Sequence, residues 1–312
     1  MFVIFIIQNI VKFLKTIFFR FCNIHYVTYT LFVRAKIKYN PLQLLTNNSW
    51  YNNWIDTHET YIREDVIEEC NSFKYRPLIS ILLPVFNVDE KYLRECIESV
   101  IDQYYGQWEL CIADDCSTYP HVHKILEEYQ LKDNRIHVVY RSKNGHISAC
   151  SNTALNMAHG DFIALLDNDD ILPPHALFEV VKRINEYPDV EILYSNEDKL
   201  KNGERVQPFF KKKWSFPLLL HINYICHLAV YKTSLIKNIG GFRKGYEGAQ
   251  DWDLAIRALG RTNKVQHIAK MLYHWRISPT STAGGENIKP YVKQKHKRIK
   301  SEFLKKQKLR RG

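Results

Sequence analysis

The sequence predicts a doubly wound, mostly parallel α/β sheet, and three observations predict it. From Pro77 onward, short apolar runs alternate with segments of helical period. Four of those runs end in clusters of Asp, Asn, Arg or Gly. No internal repeat divides the chain. Alternation of this kind is met by parallel strands joined through right-handed helical crossovers.

The elements follow in order. Residues 78–83 are continuously apolar apart from Ser80 and read as a strand that Pro84 stops. Leu93, Ile97, Val100 and Ile101 put one apolar face on a helix over residues 89–103. Residues 108–113 form a second strand ending at Asp114 and Asp115. A helix over about residues 120–131, a third strand over 135–140 and a helix over 146–158 come next. Gly160 hands over to a fourth strand, residues 162–166, which runs straight into Asp167, Asn168, Asp169 and Asp170. Beyond Pro173 the pattern gives a helix over 175–187 and a strand over 190–194. Residues 199–222 are less regular, followed by a strand over 225–231, a short helix over 233–239 and a turn at Gly240 and Gly241. A helix over 250–260 and one or two short strands over 264–275 complete the body.

Charge separates the body from the ends. The formal net charge is +11. Residues 289–312 carry eleven Lys or Arg against the single Glu302, and residues 1–40 carry six and no acid, which leaves the body at −5. A basic nucleic-acid groove through the fold is therefore not expected, whereas basic ends suit an anionic membrane surface. Ile10, Phe13, Leu14, Ile17, Phe18 and Phe21 fall on one helical stripe that Lys12, Lys15 and Arg20 mostly avoid. That is the pattern of a helix lying in a membrane interface, with a helix packed on its own domain or a partner as the alternative. The segment is too interrupted by charge to span a bilayer. The expected organisation is an amphipathic segment over 1–40, a helical connector over 41–76, the α/β domain over 77–285 and a basic tail over 286–312, helical and exposed or disordered. Seven cysteines, none spaced as CxxC, argue against a disulfide framework or structural zinc and for a reducing cytosol.

Four polar strand ends fall on one rim in a parallel sheet: Pro84, Val85, Phe86 and Asn87; Asp114 and Asp115; Arg141 with Asn144 and Gly145; and Asp167 with Asp169. Open α/β sheets bind ligands at that rim. Asp167 and Asp169 supply hard oxygen ligands suited to Mg²⁺ or Mn²⁺ carrying a phosphate-bearing substrate; as Asp and Asn they are also ordinary turn residues. Neither a GxGxxG nor a GxxxxGK[ST] motif occurs.

Over residues 78–280 the chain resembles family 2 glycosyltransferases of the GT-A fold. The resemblance is carried by residues 79–87, by Ala113 to Ser117, by 144–149 with Asn152, and by 160–170. It continues through Gly240-Gly241-Phe242, Ala249 to Leu254, and Leu272 to Arg276. Asn223 to His227 is similar to members that build O-antigen, capsule or other surface polysaccharides. The resemblance implies a nucleotide diphosphate sugar donor of UDP or dTDP type, transferred with inversion to a glycan or lipid-linked acceptor; the amphipathic segment and the basic tail would hold the protein on the inner face of the cell membrane. Asp115 would accept from the base N–H, and the Pro84 to Asn87 turn would line base and ribose. Asp169 would hold the metal with Asp167 beside it, and Asp251 would be the general base. His274 would approach the metal or diphosphate, or else be a buried core histidine. Asp251 without the resemblance would read as a helix N-terminal acid. Glu197 and Asp198 are expected to face sugar or acceptor. Three departures stand out: Cys116 where glycine is common, Gln250 where an acid is common, and no aspartate in residues 210–217. A non-catalytic nucleotide-sugar-binding scaffold and a nucleotidyltransferase are the alternatives.

Overall fold

The computed structural model describes residues 49–277 and 290–309. The expected interfacial segment over 1–40 lies outside the described residues. No helix among the described residues is long and apolar enough to cross a membrane. Residues 49–60 belong to a separate unit whose helix α1 (Ser49–His58) stacks Trp54 on His58 at 4.7 Å.

The second unit begins at Tyr61. Its elements are α2 (Arg63–Ser72), β1 (Ile79–Val85), α3 (Glu90–Ile101), β2 (Trp108–Asp114), α4 (Pro120–Lys132), β3 (Ile136–Tyr140), α5 (His146–Met157), β4 (Phe162–Leu165) and α6 (Ala176–Glu186). There follow β5 (Ile192–Lys201), β6 (Glu204–Phe209), α7 (Phe216–Leu219), β7 (Ala229–Lys232), α8 (Thr233–Asn238), α9 (Gln250–Leu259), β8 (Val265–Arg276) and α10 (Pro290–Leu309). The sheet order is β3-β2-β1-β4-β7-β5-β6, and β8 pairs with the free edge of β5. β1 to β4 are mutually parallel, as the alternation requires.

Two layers of helix cover the two faces. Odd residues of β1 (Ile79, Ile81, Leu83, Val85) meet α2, α3, α4 and α6, while Leu82 joins Cys111 and Ala113 against α5, α8, α9 and α10. This is the side-chain alternation of a strand buried on both faces.

The differences from the sequence expectation have physical causes. β1 runs through Pro84 instead of stopping there. Even-numbered groups of β1 point toward β4, whose ladder with β1 ends at Leu82–Leu165, so the missing N–H of Pro84 leaves no bond unmade. The Pro84 carbonyl instead accepts from Asn168 Nδ2 at 3.0 Å. β7 covers only Ala229–Lys232 and is antiparallel to both β4 and β5, so the sheet is mixed at its centre. The irregular stretch contains a β5–β6 hairpin closed at Asn202 and Gly203, both at positive φ. β8 is one strand of twelve residues instead of one or two short ones, its register with β5 shifting at Asn196. The basic tail forms α10, which buries Ile299 and is tied by Glu302 to Arg243 (2.9 Å) and Tyr246 (2.6 Å). Helical it is, but docked along one side. Within the connector, α2 buries Val66 and Cys70 in the core, and Lys182 pairs with Glu69 at 2.8 Å. All described cysteines are free, and all but Cys116 are buried.

His175, just before α6, is buried and stacked on Tyr61 at 3.9 Å. Burial first, then the nearby His274, Arg205 and Lys270 charges, push it down to about 3. The unfolded chain therefore binds a proton near the ordinary histidine value that the folded chain refuses. The stability this histidine permits is complete above about pH 6.5 and is lost as pH falls toward 3, at about 1.4 kcal/mol per unit. Urea unfolding of the parent and His175→Phe between pH 7 and 5 should show the shallower slope in the variant.

Candidate active site

The rim expected from the sequence is assembled. Asp115 N donates to the Val85 carbonyl at 2.8 Å, and Arg141 N to the Asp114 carbonyl at 2.9 Å. Each strand end is thereby pinned to its neighbour. The buried Asp115 carboxylate accepts from Arg141 Nε at 2.7 Å and from Gly145 N at 2.9 and 3.1 Å. Asn144 Nδ2 donates to its carbonyl at 3.2 Å. Oδ2 of Asp115 receives only the longer Gly145 contact and keeps more of its accepting capacity. A Cβ at Gly145 would press on the Arg141 guanidinium, which would have to shift away from Asp115 to make room. Asn87 sits at φ +45°, a conformation asparagine tolerates, and its Oδ1 accepts from Thr118 N at 2.7 Å. Phe86 is exposed beside it, whereas Val85 is buried. Cys116 occupies φ +64°, so the turn in which it replaces the common glycine does take the left-handed region.

At the tip of β4 three carboxylates crowd together. Asp170 is wholly buried, accepting from Tyr273 Oη at 2.6 Å and Arg276 N at 2.7 Å. The same Tyr273 hydroxyl receives Asp167 N at 3.2 Å. Arg276 Nε donates to the Asp169 carbonyl at 2.5 Å, and its Nη2 to Glu95 at 2.7 Å. The turn is thus fastened to β8 at three successive acids. Burial first, then the Asp167 charge, push Asp169 up to about 6. Burial and the Asp251 charge also push Asp167 up, against a downward pull from His227. Yet 42% of the Asp167 side chain is open to solvent. Accumulated negative charge on an open rim is what a divalent cation would relieve.

Among the described residues no three His, Cys, Asp or Glu groups form a ready metal cage. Mg²⁺-type sites commonly use one or two carboxylates with substrate phosphates supplying the rest, so the acidic turn fits such an ion.

Asp251 stands in the first turn of α9 and accepts from Asn223 Nδ2 at 2.6 Å. Asn223 lies four residues before His227, so one short segment approaches both Asp251 and Asp167. His274 is buried, with Nδ1 at 2.6 Å from Asp198. The histidine that faces the acidic turn is His227, whose Nε2 lies 3.8 Å from Asp167 Oδ2 and whose ring stacks on Tyr273 at 4.5 Å.

Glu197 and Asp198 do not open to the rim. Asp198 is fully buried between His274 and Arg205, both at 2.6 Å. Glu197 pairs with the buried Lys211 at 3.0 Å and accepts from His227 N, while Lys211 Nζ donates to the His227 carbonyl at 2.5 Å. The buried pair clamps the segment that carries His227 and Asn223. Neither residue was given a role from sequence; the polar Asn223 and His227 flanking the apolar Tyr224, Ile225 and Cys226 were the available signal.

This architecture and site define a known class. Residues 80–240 match the family described as Glycosyl transferase family 2, and the chain belongs to that family. The uncharacterized protein y4gI of Sinorhizobium fredii is 47% identical over 231 residues, 73% of this chain and 25% of that protein. O-antigen biosynthesis protein RfbC of Myxococcus xanthus is 39% identical over 209 residues, 67% of this chain and 16% of that protein. The chain therefore spans a quarter or less of the length of both. In structure, S. aureus TarS 1–349 in complex with UDP-GlcNAc superposes with a TM-score of 0.60 at 24% identity, over 71% of this chain and 65% of that one. Mannosyltransferase PcManGT from Pyrobaculum calidifontis, in complex with GDP-Man and Mn²⁺, gives 0.53 at 18%, over 68% and 60%. The fold is GT-A.

Tyr273→Phe leaves a buried oxygen of Asp170 without its donor. Denaturant unfolding should register a loss of roughly 1–3 kcal/mol, with unchanged stability counting against the latch described above.

Proposed function

We propose that the chain is a metal-dependent, inverting glycosyltransferase that moves a sugar from a nucleotide diphosphate donor to a hydroxyl of a glycan or lipid-linked acceptor in surface polysaccharide synthesis. The observation that carries this reading is the single segment over residues 223–227, in which Asn223 hydrogen-bonds Asp251 at 2.6 Å and His227 Nε2 lies 3.8 Å from Asp167. RfbC and the nucleotide-sugar complexes of TarS and PcManGT support the donor class and the pathway.

In this reading Asp115, positioned by Arg141 and Gly145, accepts the ring N–H of a uracil or thymine, with Phe86 and Asn87 beside the base. Asp169 and Asp167 hold Mn²⁺ or Mg²⁺, which when bound neutralises the diphosphate as it leaves. Asp251 takes the proton of the acceptor hydroxyl, whose oxygen bonds to the anomeric carbon while the bond to the diphosphate breaks. A single displacement inverts that carbon. His227, 3.8 Å from Asp167, would approach the metal or diphosphate, the part that the family resemblance implied for His274. Nucleoside diphosphate release from a panel of nucleotide sugars should depend on Mn²⁺ or Mg²⁺, stop with EDTA, and fall at least about 100-fold in Asp169→Ala and Asp251→Asn. Silence across the panel together with absent donor binding would remove the reading.

Attachment to the inner membrane face belongs to the same proposal. Lys297, Arg298 and Lys305 are exposed on α10, and residues 1–40 add a basic, apolar segment. Two weak basic anchors acting together give useful affinity for an anionic surface. Deletion of residues 1–35 should release the protein from pelleted anionic liposomes; equal pelleting would count against the anchor.

A further inference from the structure

Asp251 can be no better placed than the turn that leads into it. α9 begins at Gln250, after Gly245 and Gly248, both at positive φ. Its N-cap residue, Ala249, has no side chain that could close the helix end. A lead-in of that composition is costly to order and does not by itself hold a carboxylate in one position.

The order is supplied by α10, which lies beyond the residues that match the family. Its contacts fall on both sides of Asp251. Glu302 accepts from Tyr246 Oη at 2.6 Å, and the Arg298 guanidinium stands 4.7 Å from the centre of that ring. Lys295 Nζ donates to the Glu247 carbonyl at 2.6 Å and lies 3.6 Å from the carboxylate of the same residue. Past Asp251, the buried Trp252 meets the His296 ring at 4.6 Å and 88°, with Lys300 Nζ 5.4 Å from its centre. The Trp252 indole N–H goes to the Leu219 carbonyl of α7 at 2.8 Å, and Phe303 of α10 reaches Phe216 of α7 at 5.0 Å. Residues 295, 296, 299, 302 and 303 recur at helical spacing, so one face of α10 makes the grip. Burial holds His296 below the ordinary histidine value against an upward pull from Asp251. Its ring is therefore neutral near pH 7 and acts on Trp252 by contact.

We propose that α10 completes the active site, with Lys295 and His296 as positioning residues for Asp251 that act through the Glu247 carbonyl and the Trp252 ring. This rests on Asp251 being the base. With the strap in place the first turn of α9 is fixed at Tyr246, Glu247 and Trp252, and the carboxylate between them has one position. With it loosened the turn drifts, and a displacement of about 1 Å is enough to slow transfer roughly 100-fold.

The test compares the full-length parent with Lys295→Ala, His296→Ala, His296→Phe, Asp251→Asn and the His296→Ala/Asp251→Asn double variant. Nucleoside diphosphate release is measured from a panel of UDP- and dTDP-sugars with Mn²⁺, water serving as acceptor, and denaturant unfolding is followed in parallel. Lys295→Ala and His296→Ala should each lose roughly 10- to 100-fold in kcat with the donor KM unchanged. His296→Phe, which keeps the ring contact, should recover most of the loss, and the double variant should be no slower than Asp251→Asn alone. Unchanged kcat in both alanine variants beside a disabled Asp251→Asn, whatever their stability, overturns the inference and leaves the base standing. So do losses that multiply in the double variant. Full activity in Asp251→Asn removes the base reading and this inference together. Should no donor of the panel be turned over, the crystal structure of His296→Ala decides: a displaced first turn of α9 supports the strap, and an unmoved one overturns it.

Discussion

The acidic turn after β4 depends on one buried carboxylate. Three acids within four residues repel one another, and an unrestrained turn would splay them into solvent. Asp170 prevents this by giving up solvent entirely and taking its two hydrogen bonds from β8. Burial and the charges of Asp167 and Asp169 push its carboxyl well above the ordinary range. Its Tyr273 partner is likewise buried and in turn receives Asp167 N. One acid is kept inside so that the other two face outward at defined positions. Arg276 extends the tie to α3 through Glu95 and the Tyr92 ring, 4.4 Å from its guanidinium.

The other half of the rim is held by different means. There a buried Lys211–Glu197 pair clamps the backbone around His227. Replacing such a pair by apolar groups is often harmless to stability, whereas removing one member strands a charge. Its use here is geometric. It grips one residue, His227, through the peptide groups on both its sides and so sets where Asn223 and His227 stand relative to Asp251 and Asp167. The acidic turn and the segment over residues 223–227 thus rest on separate polar supports that meet at the ring of Tyr273.

What was legible in the sequence was local. Four apolar runs with acid or amide tips identify themselves because buried parallel strands need unbroken hydrophobicity and their ends do not. Asp115 and the turn with Arg141, Asn144 and Gly145 fell on one rim for the same reason. What was hidden was pairing at long range. Tyr273 and Asp170 are 103 residues apart, and nothing in either neighbourhood announces the other. The outward reading of Glu197 and Asp198 failed because a strand end was inferred where β5 continues for several buried residues, its acids neutralised by Lys211, Arg205 and His274. Pro84 misled in a simpler way: a proline ends a strand only where its N–H was needed. α10 looked like a solvated arm by composition, but Ile299, Phe303 and His296 pack on the body and Lys295 and Glu302 bond to it.

β7 lies between β4 and β5 and comes from later in the chain than either. During synthesis, β4 is complete once Leu165 has emerged, but its outer edge stays unpaired until the chain reaches Lys232. For all that interval a nascent chain presents the bare edge of a hydrophobic parallel sheet, the kind of surface that recruits a neighbour's strand. The strand that closes it also joins β1 to β4 with β5 and β8. Order of emergence therefore gives this fold a vulnerable stage that the finished molecule does not display, and ribosome-bound chains ending between these two points are where aggregation and chaperone contact would concentrate.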